Sequence, residues 1–173
     1  ELINEIIKRN KNVKTIVLNI NDQAGNAVLG KEEEIIYHDG FIIDKLKKKK
    51  IKISLSSFYQ INTEMVENLY NVVINISNFN KEDNVLDAYC GTGTIGLLVA
   101  DYVKHVTGVE INEKAIKDAI FNKTINHQDN ISFVAEDASK FILEEVKNKN
   151  YYSHVIMDPP RSGSSKVFIE SLL

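Results

Sequence analysis

The chain has 173 residues, 43% hydrophobic and 26% charged, which is the composition of a globular protein with one core, or one core plus an extension. It has no apolar run near the roughly 18 residues of a membrane span and no recognisable secretory leader, and its first residue, Glu1, indicates a piece of a longer protein. The net charge of −3 gives no sign of a nucleic-acid-binding surface, and the single cysteine, Cys90, excludes an internal disulfide and favours a reducing, cytoplasmic setting.

The first sixty residues predict a short amphipathic helix and then a small antiparallel β-meander. Apolar side chains at Leu2, Ile3, Ile6 and Ile7 share one helix face. Short β-branched runs follow, and they predict strands over 14–20, 34–37, 41–46 and 51–55. The turns between them fall at 24–26, at 38–40 and at the four lysines 47–50. A solvated hairpin turn is the commoner role of such a lysine run, and a phosphate contact is the alternative.

An aromatic and polar segment, 56–62, leads from the meander into a helix predicted over 63–76. Asn62 or Thr63 can cap this helix. Its apolar face consists of Met65, Val66, Leu69, Tyr70, Val72, Val73 and Ile76. We place a domain boundary near Ile61, so that 1–60 form a β segment and 61–173 a sheet domain.

The rest of the chain alternates strands and helices, which predicts an α/β fold with a parallel sheet. After a first strand and a glycine loop, the predicted helices are 94–102, 113–126 and 138–147, and the predicted strands are 105–109, 131–135 and 154–157. Ligands of such sheets bind at the carboxyl ends of the strands. Polar residues occur at four of these ends: Asp87 with Tyr89, Glu110, Asp137 and Asp158.

The glycine loop has the spacing G-x-G-x-x-G at Gly91, Gly93 and Gly96. Pyridine-nucleotide enzymes and methyltransferases share this spacing, so the neighbouring residues must distinguish them. Asp87 brings a carboxylate to the loop, where it would repel a pyrophosphate but suit the sulfonium and ammonium groups of S-adenosylmethionine. The bare backbone at Gly91 can contact that ligand, and Glu110 can accept hydrogen bonds from the ribose hydroxyls.

Two further carboxylates have alternative roles. Asp137 can accept a hydrogen bond from the adenine amino group or cap the helix 138–147, and the two roles can coexist. Asp158 precedes Pro159 and Pro160, which either make a strand-ending turn or hold a rigid carboxylate that positions a base.

The remaining candidate groups have structural interpretations. The four histidines show no metal-ligand or catalytic-triad spacing, and we predict no metal site. Cys90 adjoins the glycine loop, but a small packed core cysteine is the favoured interpretation over a nucleophile.

Four motifs occur in a specific order. They are Ser57-Phe58-Tyr59-Gln60-Ile61-Asn62, Asp87-Ala88-Tyr89-Cys90-Gly91-Thr92-Gly93-Thr94, Gly108-Val109-Glu110 and Asp158-Pro159-Pro160-Arg161. Together they resemble the RNA (uracil-5-)-methyltransferases of 23S rRNA and tRNA. The resemblance implies a class I, Rossmann-like methyltransferase fold, truncated at its carboxyl end. It also implies that Gln60, Tyr89, Glu110, Asp137 and Asp158 contact S-adenosylmethionine, with Thr94 at a further contact position.

The family's reaction adds a cysteine thiolate to C6 of uracil, after which C5 takes the methyl group and a carboxylate removes the C5 proton. In family members that cysteine follows the Asp-Pro-Pro-Arg motif on a later segment. We therefore expect this chain to bind cofactor without methylating, and we assign it no catalytic residue. The expected partner of the longer enzyme is RNA, rRNA rather than tRNA. In the family topology later strands cover 154–157, so we expect an exposed sheet edge here that can self-associate.

Three competing interpretations remain. An amino-group methyltransferase of adenine or guanine usually carries a base-stacking aromatic after Pro-Pro, where this chain has Arg161. A dinucleotide-dependent oxidoreductase is disfavoured by Asp87. The third is a non-catalytic binding fragment.

Overall fold

The computed structural model describes residues 1–22, 28–55, 57–60 and 62–173. The predicted turn at 24–26 and the boundary residue Ile61 lie outside these ranges. None of the helices described is long and apolar enough to cross a lipid bilayer.

Helices and strands alternate in the order expected of an α/β protein after an initial β segment. The segment contains α1 (Leu2–Arg9), β1 (Ile16–Ile20), β2 (Glu32–Tyr37), β3 (Phe41–Leu46) and β4 (Lys49–Ser54). The elements that follow are α2 (Thr63–Ser77), β5 (Asn84–Ala88), α3 (Thr94–Val99), β6 (His105–Glu110), α4 (Glu113–Ile125), β7 (Ile131–Ala135), α5 (Ala138–Lys147), β8 (His154–Met157) and α6 (Lys166–Ser171).

The β segment forms two separate antiparallel pairs, β1 with β2 and β3 with β4, so the prediction of a single meander is wrong. At the turn between β2 and β3, the Thr15 hydroxyl donates to the Tyr37 carbonyl (2.8 Å) and accepts from the Gly40 amide (3.0 Å). The Tyr37 carbonyl and the Gly40 amide, which would form the first hydrogen bond between β2 and β3, therefore bond to the Thr15 side chain instead.

The lysine run is only partly a turn, which corrects the prediction of a solvated four-residue loop. Lys49 is already in β4, and its side chain points inward because strand residues alternate between the two faces. It is 7% exposed, and its ammonium lies 2.7 Å from an Asp101 carboxylate oxygen and donates to the Gln128 side chain at 2.6 Å. A buried lysine requires such partners.

Helix α2 begins at the predicted position, where the Asn62 side chain accepts from the Met65 amide at 3.2 Å. Its apolar face is only half packed. Val66 and Tyr70 are buried, each 8% exposed, because they face the core. The adjacent row of Met65, Leu69, Val72 and Ile76 is between 53% and 72% exposed.

The central sheet is parallel, with the strand order β7-β6-β5-β8. Neighbouring strand residues serve opposite faces: Val85 belongs to a cluster with Leu97 of α3, whereas Leu86 belongs to a cluster with Phe141 of α5 and Phe168 of α6. Burying each such side chain contributes about 1.5 to 3 kcal/mol. The α/β parallel-sheet prediction is confirmed, and the glycine loop follows a central strand.

Strand β8 lies at one end of the sheet as described, paired with β5 only. This is the edge position expected for 154–157. Helix α3 is shorter than predicted and ends at Val99, after which the Tyr102 amide donates back to the Val99 carbonyl in a turn.

Candidate cofactor site

A cavity of about 750 Å³ lies at the carboxyl ends of β5, β6 and β8. All seven residues proposed from the sequence line it: Gln60, Tyr89, Gly91, Thr94, Glu110, Asp137 and Asp158. They come from five separate stretches of the chain, four of which lie at the carboxyl ends of parallel strands and therefore meet at one edge of the sheet.

The first residue after β5, at the start of the glycine loop, has a strained backbone conformation. Tyr89 has φ 63°, a left-handed conformation that costs a non-glycine residue about 1 kcal/mol or more. Its ring packs beside Phe168 at 5.7 Å between centroids. Gly91 follows with φ 54°, and a side chain there would meet open space, so its requirement for glycine is the backbone angle alone. The left-handed conformations of Tyr89 and Gly91 turn the backbone after β5, and both residues line the cavity.

Asp87 supports the loop from beneath, which corrects the expectation that its carboxylate faces the loop opening. It is 1% exposed, does not line the cavity, and accepts a hydrogen bond from the Gly96 amide at 2.9 Å. A Cβ on Gly96 would lie 2.9 Å from that carboxylate oxygen, so helix α3 approaches the strand closely only with glycine there. Burial raises the pKa of Asp87 to about 7, the Gly96 bond opposes the shift, and the charge of Asp158 adds to it.

Glu110 ends β6 and is held in place before any ligand arrives. One oxygen accepts from the Gly91 amide at 3.2 Å and the other from the Asn112 amide at 2.9 Å. A carboxylate has about four acceptor positions, so two remain for other donors. This geometry keeps Glu110 at the cavity wall with acceptor capacity to spare.

Asp137 caps helix α5, as one of its two predicted roles requires. A single oxygen, Oδ1, accepts from the Ser139 amide (3.0 Å) and the Lys140 amide (3.1 Å). Because both bonds go to Oδ1 and the residue lines the cavity, Oδ2 is available to a ligand.

Segment 58–60 forms another part of the wall. Phe58 is 75% exposed, and the Tyr59 hydroxyl donates to an Asp44 carboxylate oxygen at 3.1 Å. Burial and the Asp44 charge raise the pKa of Tyr59 to about 12, so its hydroxyl stays protonated.

Leu46 and Tyr70 also line the cavity, and the sequence analysis missed this. Burial raises the pKa of Tyr70 to about 12, with a further contribution from Asp158 and Asp87. For Tyr70, the signal in the sequence was a polar hydroxyl group within the apolar face of helix α2.

Cys90 is a buried thiol, 8% exposed, whose sulfur lies 3.8 Å from the Gly91 carbonyl oxygen. Burial strongly raises the pKa of this thiol, and the nearby charges of Asp87 and Glu110 raise it further. A protonated thiol is a weak nucleophile, in agreement with the packed-core interpretation. Across the described ranges, no group of three or more His, Cys, Asp or Glu residues could hold a metal ion.

Comparisons with known proteins identify the family. The model of the tRNA (uracil-5-)-methyltransferase family matches residues 10–171. An uncharacterised RNA methyltransferase from Streptococcus agalactiae is 42% identical over 171 residues, which is 99% of this chain and 38% of that protein. One from Staphylococcus aureus is 42% identical over 172 residues, with the same coverage. The chain thus spans 38% of the length of these curated relatives.

Solved structures agree on the fold. The tRNA (uracil-54, C5)-methyltransferase of Pyrococcus abyssi, in complex with S-adenosyl-L-homocysteine, matches with a TM-score of 0.77 at 26% identity, over 96% of this chain and 40% of that one. A SAM-dependent methyltransferase from Agrobacterium tumefaciens matches with a TM-score of 0.63 at 23% identity, over 87% of this chain and 48% of that one, and shows the fold alone. The predicted methyltransferase fold is confirmed, and the chain belongs to the tRNA (uracil-5-)-methyltransferase family.

Proposed function

We propose that this chain is the S-adenosylmethionine-binding part of a longer enzyme that methylates C5 of a uridine in RNA. The observation that carries the proposal is the convergence of the seven candidate residues on one cavity beside the glycine loop. Family membership and the S-adenosyl-L-homocysteine in the Pyrococcus abyssi enzyme support it.

Charge supports this ligand class over a dinucleotide. Three carboxylates, Glu110, Asp137 and Asp158, and one cation, Arg161, line the cavity, so its lining is net negative. A pyrophosphate would meet this negative potential at high cost, whereas a sulfonium and an ammonium group would be stabilised by it. In our assignment Glu110 accepts from the ribose hydroxyls, Asp137 Oδ2 accepts from the adenine amino group, and Asp158 faces the cationic end of the ligand.

The bound cofactor supplies an electrophilic methyl group. The residues of this chain hold and orient it, and the buried Cys90 does not attack the base. In our proposal the attacking thiolate and the base that removes the C5 proton belong to other parts of the longer protein.

Calorimetry tests the binding. We expect S-adenosylhomocysteine to bind and NAD to show no heat of binding under the same conditions. Tighter binding of NAD would overturn the proposal in favour of an oxidoreductase domain.

The inactivity of this chain has its own test, with RNA that contains 5-fluorouridine and therefore traps the C6 thioether. We expect no covalent adduct from this chain with S-adenosylmethionine, and an adduct from the longer protein. An adduct of this chain that disappears in Cys90→Ser would show that Cys90 is the nucleophile after all.

We propose 23S rRNA as the substrate of the longer enzyme, acting in the cytoplasm. The names of the family and of the Pyrococcus abyssi enzyme favour tRNA as the competing substrate. Methylation of both unmodified RNAs by the longer protein, followed by nucleoside mass spectrometry, separates them. We expect 5-methyluridine in 23S rRNA. The same product in tRNA alone would move the proposal to tRNA, and a methylated purine would refute C5 chemistry.

The open edge of β8 leads to a proposal of self-association through residues 154–157, because unpaired strand edges template further pairing. Sedimentation over a range of concentrations tests it. A strict monomer at high concentration, with β8 amides fully protected from exchange, would refute it.

We also propose that residues 1–60 and residues 61–173 form two structural units.

A further inference from the structure

One face of α4 presents a row of three polar side chains to the free edge of β4. The row, which we call the α4 polar row, consists of Asp118 and Asn122 of α4 and of Asn126, the residue that caps the carboxyl end of the helix. Asn126 accepts from the Lys50 amide (2.8 Å) and donates to the Lys50 carbonyl (2.7 Å). Asn122 accepts from the Lys52 amide at 2.7 Å. Helix side chains thus bond to β4 as a neighbouring strand would.

The geometry of the two elements explains the match. Four helical residues advance about 6 Å, and two strand residues advance about 6.7 Å. Because β4 pairs with β3 on its other side, alternate amides at Lys50, Lys52 and Ser54 point away from β3. The row therefore meets the outward amides of β4 one after another.

The third amide is reached through a serine pair. The Ser54 amide donates to the Ser57 hydroxyl at 3.0 Å. The hydroxyls of Ser54 and Ser57 both donate to Asp118, at 2.6 and 2.7 Å. Asp118 is 4% exposed, and the Lys52 ammonium lies 2.7 Å from its other oxygen, which compensates the buried charge.

The α4 polar row also reaches two parts of the cavity wall. Asn122 is 0% exposed, and its amide group donates to the Thr92 carbonyl of the glycine loop at 3.0 Å. Asp118 holds Ser57, which is followed directly by the lining residues Phe58, Tyr59 and Gln60. No member of the row itself lines the cavity.

We propose that Asn122 and Asp118 are positioning residues for the cofactor, which fix the glycine loop and segment 57–60 relative to each other. This inference rests on the proposed function of the cavity. The two linked parts of the wall lie far apart in the sequence, and both bond to side chains of a single helix. A loss of either link would let one part move relative to the other, which weakens ligand binding.

Asn122→Asp tests the loop link. The new side chain keeps an acceptor for the Lys52 amide but places a second acceptor against the Thr92 carbonyl. We expect the dissociation constant of S-adenosylhomocysteine to rise about tenfold, equivalent to about 1.4 kcal/mol. Ser57→Ala tests the other link, and we expect a rise of similar size that Ser57→Thr, which keeps the hydroxyl, restores.

Asn126→Ala is the matched control, because Asn126 belongs to the same row and bonds to β4 but to neither part of the wall. We expect it to lower the free energy of unfolding while the dissociation constant stays within about twofold. Amide NMR spectra provide a second readout: the Gly91, Thr92 and Gly93 signals should shift in Asn122→Asp and not in Asn126→Ala.

The outcomes separate the two proposals. If the unsubstituted chain does not bind S-adenosylhomocysteine, the proposed function fails. If it binds and the folded Asn122→Asp and Ser57→Ala chains bind equally well, the positioning role is wrong. If Asn122→Asp does not fold, Ser57→Ala and its Ser57→Thr rescue decide alone. If Asn126→Ala weakens ligand binding as much as the other variants do, the row has a purely structural role.

Discussion

Glu110→Ala should weaken binding of S-adenosylhomocysteine by roughly tenfold to a hundredfold. Its carboxylate already bonds to the Gly91 and Asn112 amides and keeps acceptor positions towards the cavity. In our assignment those positions receive the two ribose hydroxyls. Losing a charged acceptor of this kind costs about 1.5 to 3 kcal/mol, which corresponds to that range of affinity.

A substitution of Glu110 also releases the Gly91 amide, so the ribose contribution must be isolated by changing the ligand as well. Calorimetry with S-adenosylhomocysteine and its 2′-deoxy analogue, on both proteins, forms a double-mutant cycle. We expect the unsubstituted chain to lose about tenfold on removal of the 2′-hydroxyl, and Glu110→Ala to lose less than about twofold.

Asn112→Ala is the control for a loss of stability beside Glu110. It removes the side chain that caps α4 through the Lys114 and Ala115 amides and leaves the Glu110 carboxylate in place. We expect it to lower stability by about 1 kcal/mol without changing affinity. If the deoxy analogue loses equally in the unsubstituted chain and in Glu110→Ala, Glu110 does not bind the ribose and the reasoning fails.

Three further predictions concern single residues. Asp137→Ala removes the cap of α5 and should lower the free energy of unfolding by about 1 kcal/mol in urea titrations, and unchanged stability would contradict the cap geometry. Burial raises the pKa of Asp87 to about 7 from 3.8, so the folded state binds the proton more tightly, and the contribution of Asp87 to stability should fall as the pH rises between these values. The stability of the unsubstituted chain relative to Asp87→Asn isolates this contribution, and a relative stability that rises with pH over this range would refute the assignment. The Cys90 thiol should resist thiol reagents in the folded chain and react in urea, and rapid reaction of the native protein would contradict its burial.

The sequence predicted best where periodicity and turn residues agree. The bounds of β7, α5 and β8 match the prediction, because β7 and β8 are short apolar runs between polar residues and α5 is an amphipathic run that begins after its cap, Asp137. The carboxylates around the cavity were predictable for a related reason, since the carboxyl ends of parallel strands meet at one edge of a sheet, whereas Gln60 and Thr94 followed only from the family resemblance.

Long-range partners could not be predicted. Lys49 belongs to a run of like charges, and only Asp101 and Gln128, far along the chain, explain its burial. The α4 polar row has the spacing of an ordinary solvated helix face, and the edge of β4 that it satisfies is distant in sequence. The apolar face of α2 shows a different limit. Its periodicity predicts a buried face, but half of that face is exposed, because periodicity does not say which element covers it.

The burial of Lys49 makes this side chain a reporter of local opening. Its amine is shielded by the packed β3–β4 hairpin and bonded to Asp101 and Gln128, so an acylating reagent reaches it only when the hairpin separates from the sheet domain. Exposed neighbours such as Lys48 and Lys50 react without any opening and provide an internal reference on the same peptide. The ratio of the two acylation rates measures how often the hairpin leaves its docking position, and ligand binding should slow that event if the hairpin and the cofactor cavity are mechanically coupled.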